Sequence, residues 1–173
     1  MKRTRWLSLA VAPLLLVTLA MNGCGGGAGA SMEMSNAAMQ AVDGYMAAWN
    51  AHDATQAAAF FADSVSYLDA SVGTPQVGRE NAKTNVIQAF LTAVPNCKWV
   101  RDGEAVVSPS GDAVAFQWTF SGTNTGPWSD GTKATGKAFS IKGLTLIHVR
   151  DGKITSQFDS YDALGFYKQI GLM

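Results

Sequence analysis

Two acidic side chains stand in stretches that otherwise read as buried strand, and each could remove or return a proton. Asp159 lies in the run Gln157-Phe158-Asp159-Ser160-Tyr161, where strand alternation puts Gln157, Asp159 and Tyr161 on one face and Phe158 on the other. Asp69 shares a face with Val65 and Tyr67 in the segment Ser64 to Asp69, while Ser66 and Leu68 point the opposite way. A carboxylate facing a closed apolar space is costly unless it is paired, hydrogen-bonded or protonated. The same burial lifts its pKa toward the range where a general acid/base works. If both acids face one space, Asp69 standing opposite Asp159, like-charge repulsion raises one pKa and divides the labour between them. Each acid also has a plainer reading. Asp159 could be a solvent-facing acid at the sheet's mouth or an arginine's partner, and Asp69 a strand-end acceptor for the loop at Ala70-Ser71. Asp162 reads as the cap of a short final helix, so Asp159 and Asp162 are not a catalytic pair.

Aromatic residues are the other candidates for a site. Tyr45 and Trp49 lie one helical turn apart on a face that also carries Val42 and Met46, a spacing that suits core as well as pocket wall. Trp118 suits either role too. His52 and His148 are the only imidazoles; the first sits at a helix bend and the second alternates with Ile147, facing away from that side of its strand. With Cys24 and Cys97 the only thiols, no metal-ligand cluster is expected. The run Gly122 to Gly126 lacks a strand-to-helix context, so it is not a phosphate loop.

The elements that must position these residues follow from periodicity. Met39, Val42, Tyr45, Met46 and Trp49 predict a helix from Asn36, and Asp53 with Gln56 caps a second one ahead of Ala57, Phe60 and Phe61. After the strand ending at Asp69, a third helix follows Gly78 with Val86, Ile87, Phe90, Leu91 and Val94 on its apolar side, and Pro95 ends it. Strands are expected over Lys98 to Val107, Ala113 to Thr123, Lys137 to Val149 and Ile154 to Tyr161. Asp151-Gly152 supplies a tight turn before the last of these. Val114, Phe116, Trp118 and Phe120 share one face, as do Phe139, Ile141, Thr145 and Ile147. This order gives an α+β fold with a curved antiparallel sheet packed on helices. The long loop from Thr123 to Gly136, carrying Trp128, reads as a lid or as a surface elaboration.

Ahead of this domain, Lys2, Arg3 and Arg5 precede an apolar run from Trp6 to Ala20, then Asn22-Gly23-Cys24 and a Gly-rich stretch. Residues 1–23 have the organisation of a secretory signal peptide, too short to read as a spanning helix. Cys24 resembles the lipidated cysteine of a bacterial lipoprotein signal, with Met21 and Asn22 in place of the commonest residues; the alternative is ordinary cleavage nearby. Lipidation would tether the protein to a membrane without a spanning segment, on a Gly-rich linker over 24–35. Removing the three basic residues of the signal leaves ten Lys and Arg against thirteen Asp and Glu, which disfavours a nucleic-acid partner. No internal disulfide framework follows from Cys97 alone. Residues 36–173 suffice for one domain.

Several segments, in this order and spacing, resemble a known family. They are Tyr45-Met46-Ala47-Ala48-Trp49-Asn50-Ala51-His52-Asp53, Phe61-Ala62-Asp63, Val77-Gly78-Arg79-Glu80, Ser121 to Gly126, and the closing Asp162 to Gly171. From about Met39 onward the chain resembles the SnoaL-like (ester cyclase, polyketide cyclase-like) domains of the nuclear transport factor 2-like superfamily. The resemblance implies a cystatin-like cone: a curved antiparallel sheet wrapped on three N-terminal helices, a short C-terminal helix, and a cavity between. It implies no cofactor. It places Tyr45 where the ketosteroid isomerases of the superfamily keep a hydrogen-bonding tyrosine, Asp69 at their general base, and Thr145 near their second oxyanion donor. Threonine is no equal of that protonated aspartate, so steroid isomerisation is disfavoured. SnoaL-like cyclases carry a single catalytic aspartate on a late strand, which here is Asp159. The same alignment turns Gln157, Asp159 and Tyr161 into the cavity, where Tyr45, Trp49, Tyr67, Trp118 and Thr145 are the remaining expected substrate contacts. The sheet face in this superfamily often pairs into homodimers.

The expectation is therefore an exported, lipid-anchored domain of the bacterial cell envelope, whose apolar cavity takes a small hydrophobic carbonyl compound. Asp159, with Asp69, would serve cofactor-free cyclisation or isomerisation. The second reading is a binding module without catalysis.

Overall fold

The structure, a computed structural model, describes residues 26–173. The expected signal peptide and Cys24 lie outside the described residues.

Helix α1 spans Gly26–Asn50 and so begins well before Asn36. The segment 26–35, expected as a linker, continues the helix instead. Extending a formed helix costs little once the first turn exists, and the good helix formers Ala and Met recur through it. The extension also has tertiary support, because Gly111 in a distant turn packs closely on Ser31, Met34 and Ser35. Past Asn50 the chain breaks at His52, whose φ of 58° is left-handed. Asp53 then caps α2 (Ala54–Ala58) by accepting from the Gln56 amide at 2.8 Å.

Strand β1 (Phe61–Asp69) is followed by β2 (Gln76–Val77), a two-residue edge strand within what the sequence suggests is loop and helix approach. The third helical stretch is continuous but not uniform: α3 (Arg79–Ala82), a π-helical segment (Lys83–Gln88) and α4 (Ala89–Ala93). Strands β3 (Lys98–Val107), β4 (Ala113–Thr123), β5 (Ala138–Arg150) and β6 (Lys153–Tyr161) match expectation to within a residue. Helix α5 (Ala163–Ile170) closes the chain, with Asp162 accepting from the Gly165 amide at 2.8 Å.

The strands form one curved sheet in the order β2-β1-β6-β5-β4-β3. Every pairing is antiparallel except β1 with β6, which is parallel. The sheet is thus mixed rather than wholly antiparallel, because the chain returns to β1's flank only after crossing through helices and four further strands. Inward residues of β3 to β6 bury against α1 and the helical stretch 79–93, and the core is strongly aromatic.

Two contacts fix the helices on the sheet. Asn50 donates from Nδ2 to the Trp99 carbonyl and accepts from the Trp99 amide, both at 2.8 Å, clamping the end of α1 to edge strand β3. Arg79 donates to the Phe61 carbonyl from Nε at 3.1 Å and from a terminal nitrogen at 2.9 Å, and pairs with Asp63 at 2.8 Å. Gly143 in β5 has a different task. A β-carbon there would strike the Trp118 ring, so the absent side chain makes room for the indole from the neighbouring strand.

Candidate active site

Strand register brings the candidate residues together. Asp69 and Asp159 are direct partners on the parallel strands β1 and β6, and Thr145 is the partner of Asp159 on β5. Asp69 therefore does not face Asp159 from across the cavity, as expected, but stands beside it in the same wall. The parallel insertion of β6 next to β1 is the cause.

Both acids are buried, Asp69 at 4% and Asp159 at 5% exposure. Among the described residues neither forms a salt bridge. Asp159 accepts from the Tyr67 hydroxyl at 2.6 Å, the Thr145 hydroxyl at 2.5 Å, and Gln157 Nε2 at 3.0 and 3.2 Å. Thr145 in turn accepts from Trp118 Nε1 at 2.7 Å, so its single proton is committed to Asp159. Asp69 is exposed to the cavity and is also bonded to the loop that follows it, accepting from the Ser71 amide at 2.8 Å, the Ser71 hydroxyl at 2.6 Å and the Val72 amide at 3.2 Å. The Tyr161 hydroxyl adds bonds of 2.9 and 3.2 Å.

These surroundings set the proton affinities. Burial, and after it the negative charge of Asp69, push the Asp159 carboxyl up to about 7, against the hydrogen bonds from Thr145, Tyr67 and Gln157 that favour its charged form. Burial also raises Asp69, opposed by its bonds to Ser71, Tyr161 and Val72. Two of those donors are backbone amides that cannot turn away, so Asp69 keeps the charge and Asp159 takes the proton first. Burial raises Tyr45, Tyr67 and Tyr161 as well, which keeps all three as neutral donors.

The cavity beside the acids measures about 30 Å³ and is lined by Trp49, Tyr67, Asp69, Phe90, Trp99, Trp118, Phe120, Ile141, Asp159 and Tyr161. That is room for roughly two water molecules. Of the expected site residues, six line this space: Asp69, Asp159, Trp49, Tyr67, Trp118 and Tyr161. Tyr45, Thr145 and Gln157 stand one layer behind and are themselves almost wholly buried. Phe90, Trp99, Phe120 and Ile141 are additional wall residues. Phe120 and Ile141 share their strand faces with Trp118 and Thr145, a visible signal, whereas Trp99 is placed by the Asn50 clamp, which has no sequence signature.

Among the described residues, three polar atoms in and just behind this wall are buried without a hydrogen-bond partner: Trp49 Nε1 in the wall itself, and Tyr45 Oη and Gln157 Oε1 behind it. The Tyr45 hydroxyl nevertheless lies close to Trp49, Tyr67 and Gln157. Such a set can accept a proton-linked rearrangement. When Asp159 is protonated its hydroxyl needs an acceptor, and a half-turn of the Gln157 amide presents Oε1 to it.

Residues 39–170 match the SnoaL-like polyketide cyclase family. The chain belongs to that family. No curated protein matches it. Among solved structures, a candidate polyketide cyclase from Xanthomonas campestris pv. campestris is 23% identical, covering 79% of this chain and 98% of its own, with a TM-score of 0.68. TsrD from Streptomyces laurentii is 25% identical over 80% of this chain and 97% of its own, TM-score 0.66. A protein with a ketosteroid isomerase-like fold from Catenulispora acidiphila, in complex with trimethylamine, is 23% identical over 76% of this chain and 92% of its own, TM-score 0.64. The shared architecture is the α+β cone with its unclosed six-stranded sheet. In this SnoaL-like domain the acids sit on the inner wall of the cone. Among the described residues, no three His, Cys, Asp or Glu side chains gather as a metal site would require.

Proposed function

We propose that this SnoaL-like domain performs acid/base chemistry on a small hydrophobic carbonyl compound, with Asp159 as the group that moves the proton. The single observation behind this reading is a buried carboxyl poised near neutrality on the wall of an aromatic cavity. In its charged form Asp159 removes a proton from a carbon made acidic by an adjacent carbonyl. The enolate then adds to a second carbonyl or is reprotonated elsewhere, and the Asp159 carboxylic acid returns the proton to the alkoxide or carbon formed. Asp69 stays charged and keeps Asp159 basic enough for the first step. Tyr67, Thr145 and Gln157 hold its oxygens in place, while Trp49, Trp99, Trp118 and Phe120 supply the dry walls. The chemistry needs no cofactor.

Exchange of deuterium from heavy water into the methyl group of acetonaphthone, a flat neutral ketone, tests the reading. The parent protein should accelerate exchange and Asp159→Asn should not. Equal rates for the two proteins would sink the acid/base role.

The second reading is a ligand-binding lipoprotein without catalysis. The observation favouring it is the signal-type N-terminus with Cys24, which suits an exported protein of the cell envelope better than an enzyme of cytoplasmic biosynthesis. Mass spectrometry of the mature N-terminus tests that anchor: a diacylated Cys24 supports it, and a free N-terminus beyond Cys24 rules it out.

A further inference from the structure

A cavity of about 30 Å³ beside Asp159 is too small for the ligand that the proposed function requires, so the site must open. Outside it lies a groove of about 430 Å³. Phe90 lines both spaces and is the wall they share. Behind that wall Phe90 packs on Phe166, with ring centroids 6.0 Å apart. Trp128 meets both edge-on, at 5.4 Å from Phe90 and 6.0 Å from Phe166, and so wedges the pair shut.

The segment carrying Trp128 is built to be held at its base and free at its tip. Asn124 fixes the base, donating to the Ala93 and Gly126 carbonyls at 3.0 and 2.9 Å and accepting from the Thr135 amide at 2.9 Å. Gly126 lies so close to the Thr92 carbonyl that no β-carbon would fit. Among the described residues, by contrast, the hydrogen bonds of 127–134 close within that segment: Trp128 N to the Thr132 carbonyl, Gly131 N to the Trp128 carbonyl, and Thr132 N to Asp130. Among the described residues no hydrogen bond or ion pair ties the tip to the rest of the domain, and the indole is what packs it there, against Phe90 and Phe166. Among the described residues its Nε1 finds no hydrogen-bond partner, a penalty that release into water would remove.

We infer that the outer groove is the second chamber of the ligand site and that Trp128 is the removable wedge between the chambers. A ligand's flat apolar body takes the place of the indole against Phe90 and Phe166, while its carbonyl end reaches Asp159. The rim names the chemistry of the far end. Gln76, Asn85, Ser129 and Thr132 offer neutral hydrogen-bonding groups, Asp130 adds a negative charge, and among the described residues no Lys or Arg lines the groove. The groove therefore selects a neutral ring system of two or more rings and rejects an anionic one.

This inference rests on the carbonyl-ligand reading above, and its test separates the two. The protein is labelled with fluorotryptophan, and the Trp128 fluorine resonance is assigned with Trp128→Phe. Titration with acetonaphthone should move the Trp128 resonance toward its solvent-exposed position in the parent, and in Asp159→Asn once the probe is raised high enough to fill the site. Trp128→Ala should bind the probe about tenfold more tightly, and naphthoate, the anionic analogue of similar size, should bind the parent about tenfold more weakly than the ketone. A Trp128 resonance that stays put while those of Trp49 or Trp118 shift overturns the inference, as does the absence of any shift up to the probe's solubility. If Trp128 moves but Asp159→Asn exchanges deuterium as fast as the parent, the wedge stands and the acid/base function falls.

Discussion

Asp69 and Asp159 lie side by side in register on the parallel strands β1 and β6, and each is bonded by the tyrosine of the other's strand: Tyr67 of β1 donates to Asp159, and Tyr161 of β6 donates to Asp69. The crossed arrangement follows from the pleat, which turns residues two apart to the same face. It ties the protonation of one strand's acid to the neighbouring strand.

Tyr67→Phe should therefore act on Asp159. Loss of a short bond to the charged form raises the Asp159 pKa further, so the pH dependence of ketone exchange shifts to higher pH. The stability cost should be about 1.5–3 kcal/mol where Asp159 is charged and smaller where it is protonated. Exchange rates and chemical denaturation measured on either side of neutrality check both parts.

Asp159 also links stability to pH. Its folded pKa, about 7, lies above the ordinary carboxylate value of 3.8, so the folded state holds the proton more tightly than the unfolded one. The resulting stabilisation is fully present below the unfolded pKa and is lost as pH rises through about 7. At about 1.36 kcal/mol per unit this amounts to roughly 4 kcal/mol, an upper estimate. Asp159→Asn should flatten the fall in thermal midpoint between about pH 4 and pH 7, and should be the more stable protein at about pH 8. A parent whose stability rises with pH across that interval would contradict this.

Gly143→Ala should destabilise the protein by about 1–3 kcal/mol, because the new methyl drives into the Trp118 ring. The displaced indole would release its bond to Thr145 and, through it, loosen Asp159. Thermal unfolding with tryptophan fluorescence reads both effects.

The fold was legible to a large extent because its signals are local: alternation in β4, β5 and β6, the Asp53 and Asp162 caps, and the Asp151-Gly152 turn all lie within a few residues. Asp159 was legible for the same reason, as an acid on an otherwise inward face. What local pattern does not carry is which strands become neighbours. The parallel pairing of β1 with β6 turned Asp69 from an opposite partner into an adjacent one, and the antiparallel pairing of β5 with β6 brought Thr145 to Asp159. The helix over 26–35 was missed because its glycines read as linker, while its support comes from a turn some eighty residues away at Gly111.

Asn50→Ala should cost about 2 kcal/mol, since it removes both bonds to Trp99 and leaves the Trp99 amide and carbonyl to find water at a partly buried edge. Trp99 and Trp49 both line the cavity, so acetonaphthone binding should weaken as well. Calorimetric unfolding and probe titration measure the two losses; a variant as stable as the parent would show the clamp to be ornamental.

The most direct test of the central claim is a carbon NMR titration of the Asp159 carboxyl, assigned with Asp159→Asn. The predicted midpoint is about 7, moving downward in Asp69→Asn as the neighbouring charge is removed. A midpoint near the ordinary value of 3.8, unmoved by Asp69→Asn, would contradict the acid/base account.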